Sequence, residues 1–91
     1  MITYMGIAIR TTRDLGVAVN AARTALGMTQ AELAERAQVS RRWIVALERG
    51  FTPGLDFTRV MKTLYALDLQ FEAAPYDHTP PPVDLDALTE W

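Results

Sequence analysis

The chain has 91 residues, 49% of them hydrophobic and 22% charged, which is the composition of one globular domain. It has no cysteine and a single histidine, His78, so the sequence excludes disulfides, thiolate catalysis, cysteine-ligated metals and a Ser-His-Asp triad. It also has no run of 18 apolar residues and no secretion signal at its start. We therefore expect a cytoplasmic protein that is not an enzyme and that needs no cofactor or metal.

The net charge of −2 is unevenly distributed along the chain. Residues 10–49 carry seven arginines against four acidic residues, whereas residues 50–91 carry two basic residues against seven acidic ones. A basic segment within an acidic chain indicates an anionic partner such as nucleic acid. Chance scatter of surface charge explains the same asymmetry, so the sequence motifs have to decide.

The first two predicted helices are marked by their capping residues. The first is predicted to be capped by Thr12 and to stop at Gly27, because glycine adopts the left-handed conformation at low cost. Its inner face carries Leu15, Val19, Ala22 and Leu26. Thr29 begins the second helix through a capping box with Glu32. The inner face of this helix carries Leu33, Ala34 and Ala37.

Two further helices follow. A turn at Gln38 and Val39 leads to the third helix, which begins after Ser40 and ends near Arg49, before Gly50. Asp56 caps the fourth helix, which is predicted to run to Leu67. The inner face of the fourth helix carries Val60, Leu64 and Leu67, with Phe57 and Met61 beside them.

A strand is predicted after the fourth helix, because residues 69–73 alternate apolar and polar side chains. One strand cannot satisfy its backbone alone. It pairs either with the apolar stretch 2–9 or, as we prefer, with its own copy in a homodimer. The interface residues that we expect are Leu64, Leu69 and Phe71.

The chain therefore divides into three parts. Residues 1–11 form an N-terminal extension, in which Met1 and Met5 are both possible starts. Residues 12–73 form the folded domain. Residues 74–91 contain four of the five prolines and four acidic residues, which is typical of a flexible tail.

The second and third helices form a helix-turn-helix arrangement, in which the third would enter the major groove of DNA. A helical wheel turns Ile44 and Leu47 toward the core and leaves the arginines on the opposite face. We expect Arg41 and Arg42 to bind guanine edges, each worth about 1–3 kcal/mol of discrimination, and Ala46 to touch a thymine methyl. The alternative is that both arginines are solvated or paired with acidic residues.

Phosphate contacts are predicted at the ends of the same helices. The candidates are Thr29, Gln30, Ser40, Trp43 and Arg49. For Gln30 the alternatives are bracing Arg41 or simply starting a helix, and for Trp43 the alternative is packing against the second helix. Arg23 and Glu48 are predicted to form a structural ion pair between the first and third helices.

These residues resemble a known family. Its pattern is carried by Gly27-Met28-Thr29-Gln30, Leu33-Ala34, Val39-Ser40, Ile44 and Glu48-Arg49-Gly50. Over about residues 14–67 they resemble the phage-repressor and Xre-like regulators, in which the positions of Arg23 and Glu48 match a buried ion pair. Within that superfamily the chain looks most like the HipB-type antitoxins.

The resemblance implies an all-α, four-helix lambda-repressor-like helix-turn-helix domain, with one C-terminal dimerisation strand and a disordered tail. It implies a homodimer that binds a palindromic operator on double-stranded DNA, represses its own toxin–antitoxin operon on the nucleoid, and neutralises a HipA-like Ser/Thr kinase toxin. Leu85, Leu88 and Trp91 in the tail would bind the toxin by coupled folding, although Trp91 is equally consistent with a frayed end.

Other functions remain open at this point. The chain is alternatively a stand-alone Xre-like transcriptional repressor, or the antitoxin of a RelE-like ribonuclease toxin. A third interpretation is a protein-interaction module whose helix-turn-helix no longer contacts DNA.

Overall fold

The computed structural model describes residues 8–51 and 54–75. In chain order these residues form four helices: α1 (Thr12–Ala25), α2 (Gln30–Ala37), α3 (Arg41–Glu48) and α4 (Phe57–Ala66). Helix α3 packs against both α1 and α2, and α4 packs against α2. The predicted four-helix, all-α architecture is confirmed for this part of the chain. No helix within it is long and apolar enough to cross a membrane.

Each helix begins after a residue whose side chain accepts a backbone N–H. Thr29 and Glu32 form the predicted capping box, and Ser40 and Asp56 cap α3 and α4 as predicted. The prediction for α1 is wrong by one residue. Thr11, whose backbone is extended, is the cap, and its hydroxyl accepts the N–H of Asp14 at 3.0 Å.

The turns between the helices use left-handed backbone, which the sequence indicated at the glycine stops but not at Gln38. Gly27 and Gly50 follow α1 and α3 with φ angles of 68° and 74°. Gln38 adopts a φ of 58° between α2 and α3, a conformation that a non-glycine residue rarely takes. The tight turn at Gln38 sets the direction in which α3 leaves α2.

The core lies where the inner faces of the four helices meet, and most of its residues are those that periodicity predicted. The largest fully buried side chains are Leu33, Ile44, Leu47, Val19, Val60 and Thr63. Periodicity did not predict Thr63, whose hydroxyl donates to the carbonyl of Arg59 at 2.8 Å and so needs no water. It also did not predict Met28, which is 6% exposed.

Three residues predicted on or beside inner faces are exposed. Leu26 is 53% exposed because it is the C-cap of α1, where the helix that would turn it inward has ended. Phe57 and Met61 are 65% and 43% exposed, because the core-facing side of α4 is taken by Val60, Thr63 and Leu64.

The predicted strand over residues 69–73 is not formed in the single chain. This segment has no extended partner among the described residues, and a lone strand leaves its backbone groups unpaired. It runs instead beside α4: Leu69 donates its N–H to the carbonyl of Leu64 at 2.8 Å, and the ring of Phe71 stacks on Phe57 with centroids 5.5 Å apart. The other candidate for pairing is the stretch 2–9, of which residues 2–7 lie outside the described residues.

The tail prediction falls largely outside the described residues as well. Residues 76–91 are not described, and with them the three proposed toxin-binding side chains Leu85, Leu88 and Trp91.

Candidate nucleic-acid interface

Helices α2 and α3, joined by the turn at residues 38–40, form the unit that presents α3 to solvent. Ile44 and Leu47 anchor α3 to the core, since both are fully buried there. The exposed side of α3 is therefore fixed in orientation by its buried side. This is the arrangement in which a short helix can be placed in the major groove of DNA.

The outward side of α3, which we call the arginine face, consists of Arg41, Arg42, Val45, Ala46 and Arg49. The three arginine side chains are exposed, and the two apolar residues between them are half-buried. None of the three guanidinium groups forms an ion pair or hydrogen bond with another residue in the part of the chain that the structure describes. Their donors therefore remain available for an anionic or acceptor-rich ligand.

The composition of the arginine face suits base edges as well as phosphates. A guanidinium group offers paired N–H donors that match the O6 and N7 acceptors of guanine. The short side chains of Val45 and Ala46 leave the α3 backbone open to close approach. The helical repeat places the guanidinium groups and these short side chains on the same face of α3, as the sequence predicted.

Helix α3 is held at its C-terminal end by a polar cluster around Glu48. The predicted ion pair is confirmed: Arg23 Nε lies 2.7 Å from Glu48 Oε2, and the two side chains are only 12% and 4% exposed. Two more donors reach Glu48 Oε1, the amide of Asn20 at 2.7 Å and that of Gln30 at 3.3 Å. Arg23 also donates to the carbonyl of Met28 at 2.7 Å, so the cluster joins α1, α2 and α3.

The charge state of Glu48 follows from these contacts. Burial acts to raise the pKa of the carboxyl group, but hydrogen bonds from Arg23, Asn20 and Gln30 together outweigh it, so the pKa of Glu48 lies below its ordinary value. The carboxylate in turn raises the pKa of Arg23. Both groups are thus ionised at neutral pH, and α3 is held by a charged pair that is almost fully removed from water.

The candidate phosphate-contacting residues occupy distinct positions. Thr29 and Ser40 are exposed N-caps whose hydroxyl oxygens accept N–H groups, which leaves each hydroxyl hydrogen free to donate. Arg49 is the exposed C-cap of α3. Trp43 is half-buried and packs against the core. The side chain of Gln30 is engaged with Glu48 rather than with Arg41.

Sequence reasoning missed a groove beside the arginine face. It has a volume of about 400 Å³ and lies between α3 and the start of α4. Arg42 and Trp43 of α3, Phe51 of the following loop, and Asp56 and Arg59 at the start of α4 line it. No motif marks this groove, because its two walls are separated by a loop in the sequence and meet only through packing.

Comparisons with known proteins agree with this geometry. The model of the family described as "Helix-turn-helix domain" matches residues 14–73. The chain belongs to this family. It is therefore a DNA-binding helix-turn-helix protein of the transcription-regulating class.

Among solved structures, this helix-turn-helix protein is similar to the restriction-modification controller protein C.AhdI from Aeromonas hydrophila. The sequences are 27% identical, the TM-score is 0.61, and the similar region covers 65% of this chain and 88% of that chain. No curated protein matches the chain with statistical significance.

Proposed function

We propose that this helix-turn-helix protein is a sequence-specific transcriptional repressor that binds, as a homodimer, a palindromic operator upstream of its own gene. The observation that carries the proposal is the arginine face, in which three guanidinium groups without a partner among the described residues project from a helix whose opposite side is anchored in the core. Arg41, Arg42 and Ala46 would contact bases. Thr29, Ser40, Trp43 and Arg49 would contact phosphates, with Gln30 supporting them from its bond to Glu48.

Dimerisation is expected because a palindromic operator presents two half-sites, one for each copy of α3. A two-fold dimer would place two copies of α3 about 34–36 Å apart, one turn of the duplex. Leu69 and Phe71 are 40% and 37% exposed in the single chain and would form the interface, with residues 69–73 of the two copies pairing as strands. Leu64 is only 4% exposed because it belongs to the core of its own protomer, so it supports this surface from beneath.

The DNA-binding proposal is tested with a duplex taken from upstream of the protein's own gene. We expect wild type to bind this duplex much more tightly than a random-sequence duplex, and the double substitution Arg41→Ala/Arg42→Ala to abolish the preference. Losing one bidentate guanine contact costs about 1–3 kcal/mol, so two in each protomer remove most of the specific affinity. Fluorescence anisotropy at several salt concentrations measures the affinity for the upstream duplex and the affinity for the random-sequence duplex.

The matched control is Arg36→Ala/Lys62→Ala, which removes the same charge from exposed positions outside the arginine face. This variant is expected to keep the preference for the upstream duplex. Equal, weak binding of both duplexes by wild type and by the arginine-face variant would contradict the proposal and would favour the protein-interaction module.

We further propose that the repressor is the antitoxin of its operon and that it neutralises a HipA-like Ser/Thr kinase toxin in the cytoplasm. Support comes from the resemblance of residues 14–67 to HipB-type antitoxins and from the tail, whose acidic and apolar residues would not compete for DNA. Leu85, Leu88 and Trp91 would supply the apolar contacts with the toxin.

A second candidate is favoured by the similarity to C.AhdI, which is a restriction-modification controller protein. On that view the chain would control a restriction-modification operon and would need no toxin. A stand-alone repressor and the antitoxin of a RelE-like ribonuclease toxin are the remaining alternatives.

Co-expression with the product of the neighbouring gene separates these candidates. A stable complex with a kinase, lost when the chain is cut after Pro75, would support the HipA-like partner and the tail. A complex with a ribonuclease, or no complex beside genes for a methyltransferase and an endonuclease, would contradict the kinase and select one of the other candidates.

A further inference from the structure

We propose that the groove between α3 and the start of α4 holds a sugar–phosphate strand of the bound DNA, and that Arg59 binds one of its phosphates. This inference rests on the proposed function and names a DNA-contacting residue outside the helix-turn-helix unit. It is carried by the placement of two arginines and two aromatic side chains around one groove at the edge of the arginine face.

The two arginines reach the groove from different helices. Arg42 belongs to the arginine face, and Arg59 stands in the first turn of α4, where its side chain is 53% exposed. Both line the groove, together with Ala46 of the arginine face. A duplex that offered its major groove to Arg42 and Ala46 would bring one of its bordering strands over this groove.

The rest of the lining suits the alternating chemistry of that strand. Phe51 is 73% exposed and Trp43 is half-buried, so the groove offers apolar surface between its guanidinium groups. A DNA strand presents phosphates separated by deoxyribose rings, whose carbon faces are apolar. Guanidinium groups bind the phosphates through charge-assisted hydrogen bonds, while the aromatic rings contact the sugars.

Gly50 and Phe51, which follow α3, are held against α1 and α3. The N–H of Phe51 donates to the carbonyl of Ala46 at 3.0 Å, and the hydroxyl of Thr12 donates to the carbonyl of Gly50 at 3.3 Å. The φ angle of 74° at Gly50 makes this path of the chain possible. The backbone of Phe51 is therefore fixed beside the groove by these contacts, and its position does not depend on the ligand.

Asp56 is the one acidic residue among the described residues that line the groove, and its environment limits its repulsion of a phosphate. Its Oδ1 atom accepts the N–H groups of Thr58 and Arg59 as the cap of α4, and its Oδ2 atom lies 3.5 Å from Arg59 Nε. Both side chains of this ion pair are at least half exposed, so the pair is weak. Arg59 can therefore exchange Asp56 for a phosphate at small cost.

The test compares Arg59→Ala with Lys62→Ala in the full chain, on the duplex from upstream of the gene. Both substitutions remove one positive charge from the exposed side of α4, but Lys62 does not line the groove. Each phosphate contact contributes about 0.9 to the slope of log K against log[salt], so Arg59→Ala should lower the slope of a dimer by about 1.8, with a smaller change for Lys62→Ala. Arg59→Lys should restore part of the slope, because lysine keeps the charge.

A phosphate contact reads no sequence, so Arg59→Ala should weaken binding to the upstream duplex and to base-substituted versions of it by the same factor. Equal slopes for Arg59→Ala and Lys62→Ala would overturn the inference, as would a loss confined to one base position. Thermal denaturation confirms that both variants are folded. Absence of any preference by wild type for the upstream duplex would instead contradict the proposed function.

Discussion

At the scale of single residues, Glu48 connects the stability of the domain to the position of α3. It is the last residue of α3, and its carboxylate accepts hydrogen bonds from α1 and α2. Removing one member of a buried ion pair leaves the other charge unpaired, which costs about 3–5 kcal/mol. The attraction between the two charges therefore adds little to the free energy of unfolding. The larger effect is the penalty for leaving one of them buried and unpaired.

The substitution Glu48→Gln should reveal this dependence through pH. Since the folded pKa of Glu48 is lowered, its contribution is fully present above the ordinary value of 4.5 and is lost as the pH falls through the folded pKa. We expect Glu48→Gln to reduce the free energy of unfolding at pH 7 by about 3–5 kcal/mol. The difference from wild type should shrink at pH 3.5, as urea denaturation at both pH values would show.

The control for this experiment is Glu35→Gln, which changes an exposed carboxylate on α2 and should have little effect at either pH. A difference between wild type and Glu48→Gln that stayed constant from pH 7 to pH 3.5 would show that the charge of Glu48 does not matter, only its shape.

At the scale of the elements, the close contact between α1 and α3 depends on a glycine in the middle of α1. Gly16 is buried, and a Cβ atom at this position would meet the carbonyl oxygen of Leu47 and, at 2.8 Å, that of Glu48. Both are backbone atoms, so α3 would have to move to make room. The missing side chain at Gly16 therefore sets how closely the C-terminal end of α3 approaches α1.

Gly16→Ala should destabilise the domain, although alanine is the better helix former by about 1 kcal/mol. Overpacking against backbone costs about 1–3 kcal/mol, and displacement of α3 also disturbs the Arg23–Glu48 pair. We expect a lower melting temperature by calorimetry and weaker binding to the upstream duplex. Val17→Ala, at a position that is 60% exposed, is the control and should change neither quantity much. A melting temperature raised by Gly16→Ala would contradict the close approach.

At the scale of the whole molecule, the four-helix part is small and leaves apolar surface uncovered. A core of this size is marginal by itself. Phe57, Tyr65 and Phe71 are 65%, 85% and 37% exposed on α4 and the segment after it. Covering them with a second copy would add buried apolar area and would also supply the two-fold symmetry that a palindromic operator requires.

Phe71→Asp should therefore produce a monomer with a lower melting temperature and weak operator binding. The charge would be buried against the partner's apolar surface, where it has no counter-ion. Light scattering measures the mass, and the same sample is then titrated with the upstream duplex. Val17→Asp places the same charge on exposed surface of α1 and should leave the mass of the dimer unchanged. An unaltered dimer in the Phe71→Asp variant would show that this segment is not the interface.

The sequence by itself determined the parts of this protein that depend on neighbours along the chain. Helix caps, the glycines that follow helices and the 3.6-residue apolar period are all patterns within one or two helical turns. The helices, the buried residues Ile44 and Leu47, and the arginine face were therefore predictable. The ion pair of Arg23 with Glu48 joins residues that are distant in the sequence, and it was predicted because both positions match a buried ion pair of the family that the sequence resembles.

Only the tertiary structure decided what depends on contacts between distant segments. It placed Asn20 and Gln30 on Glu48, brought Arg59 and Phe51 to one groove with Arg42, and left residues 69–73 without a strand partner in the single chain. An alternating pattern specifies which side chains share a face but not whether a partner strand is present. These features are set by packing between distant segments, which a local sequence pattern does not predict.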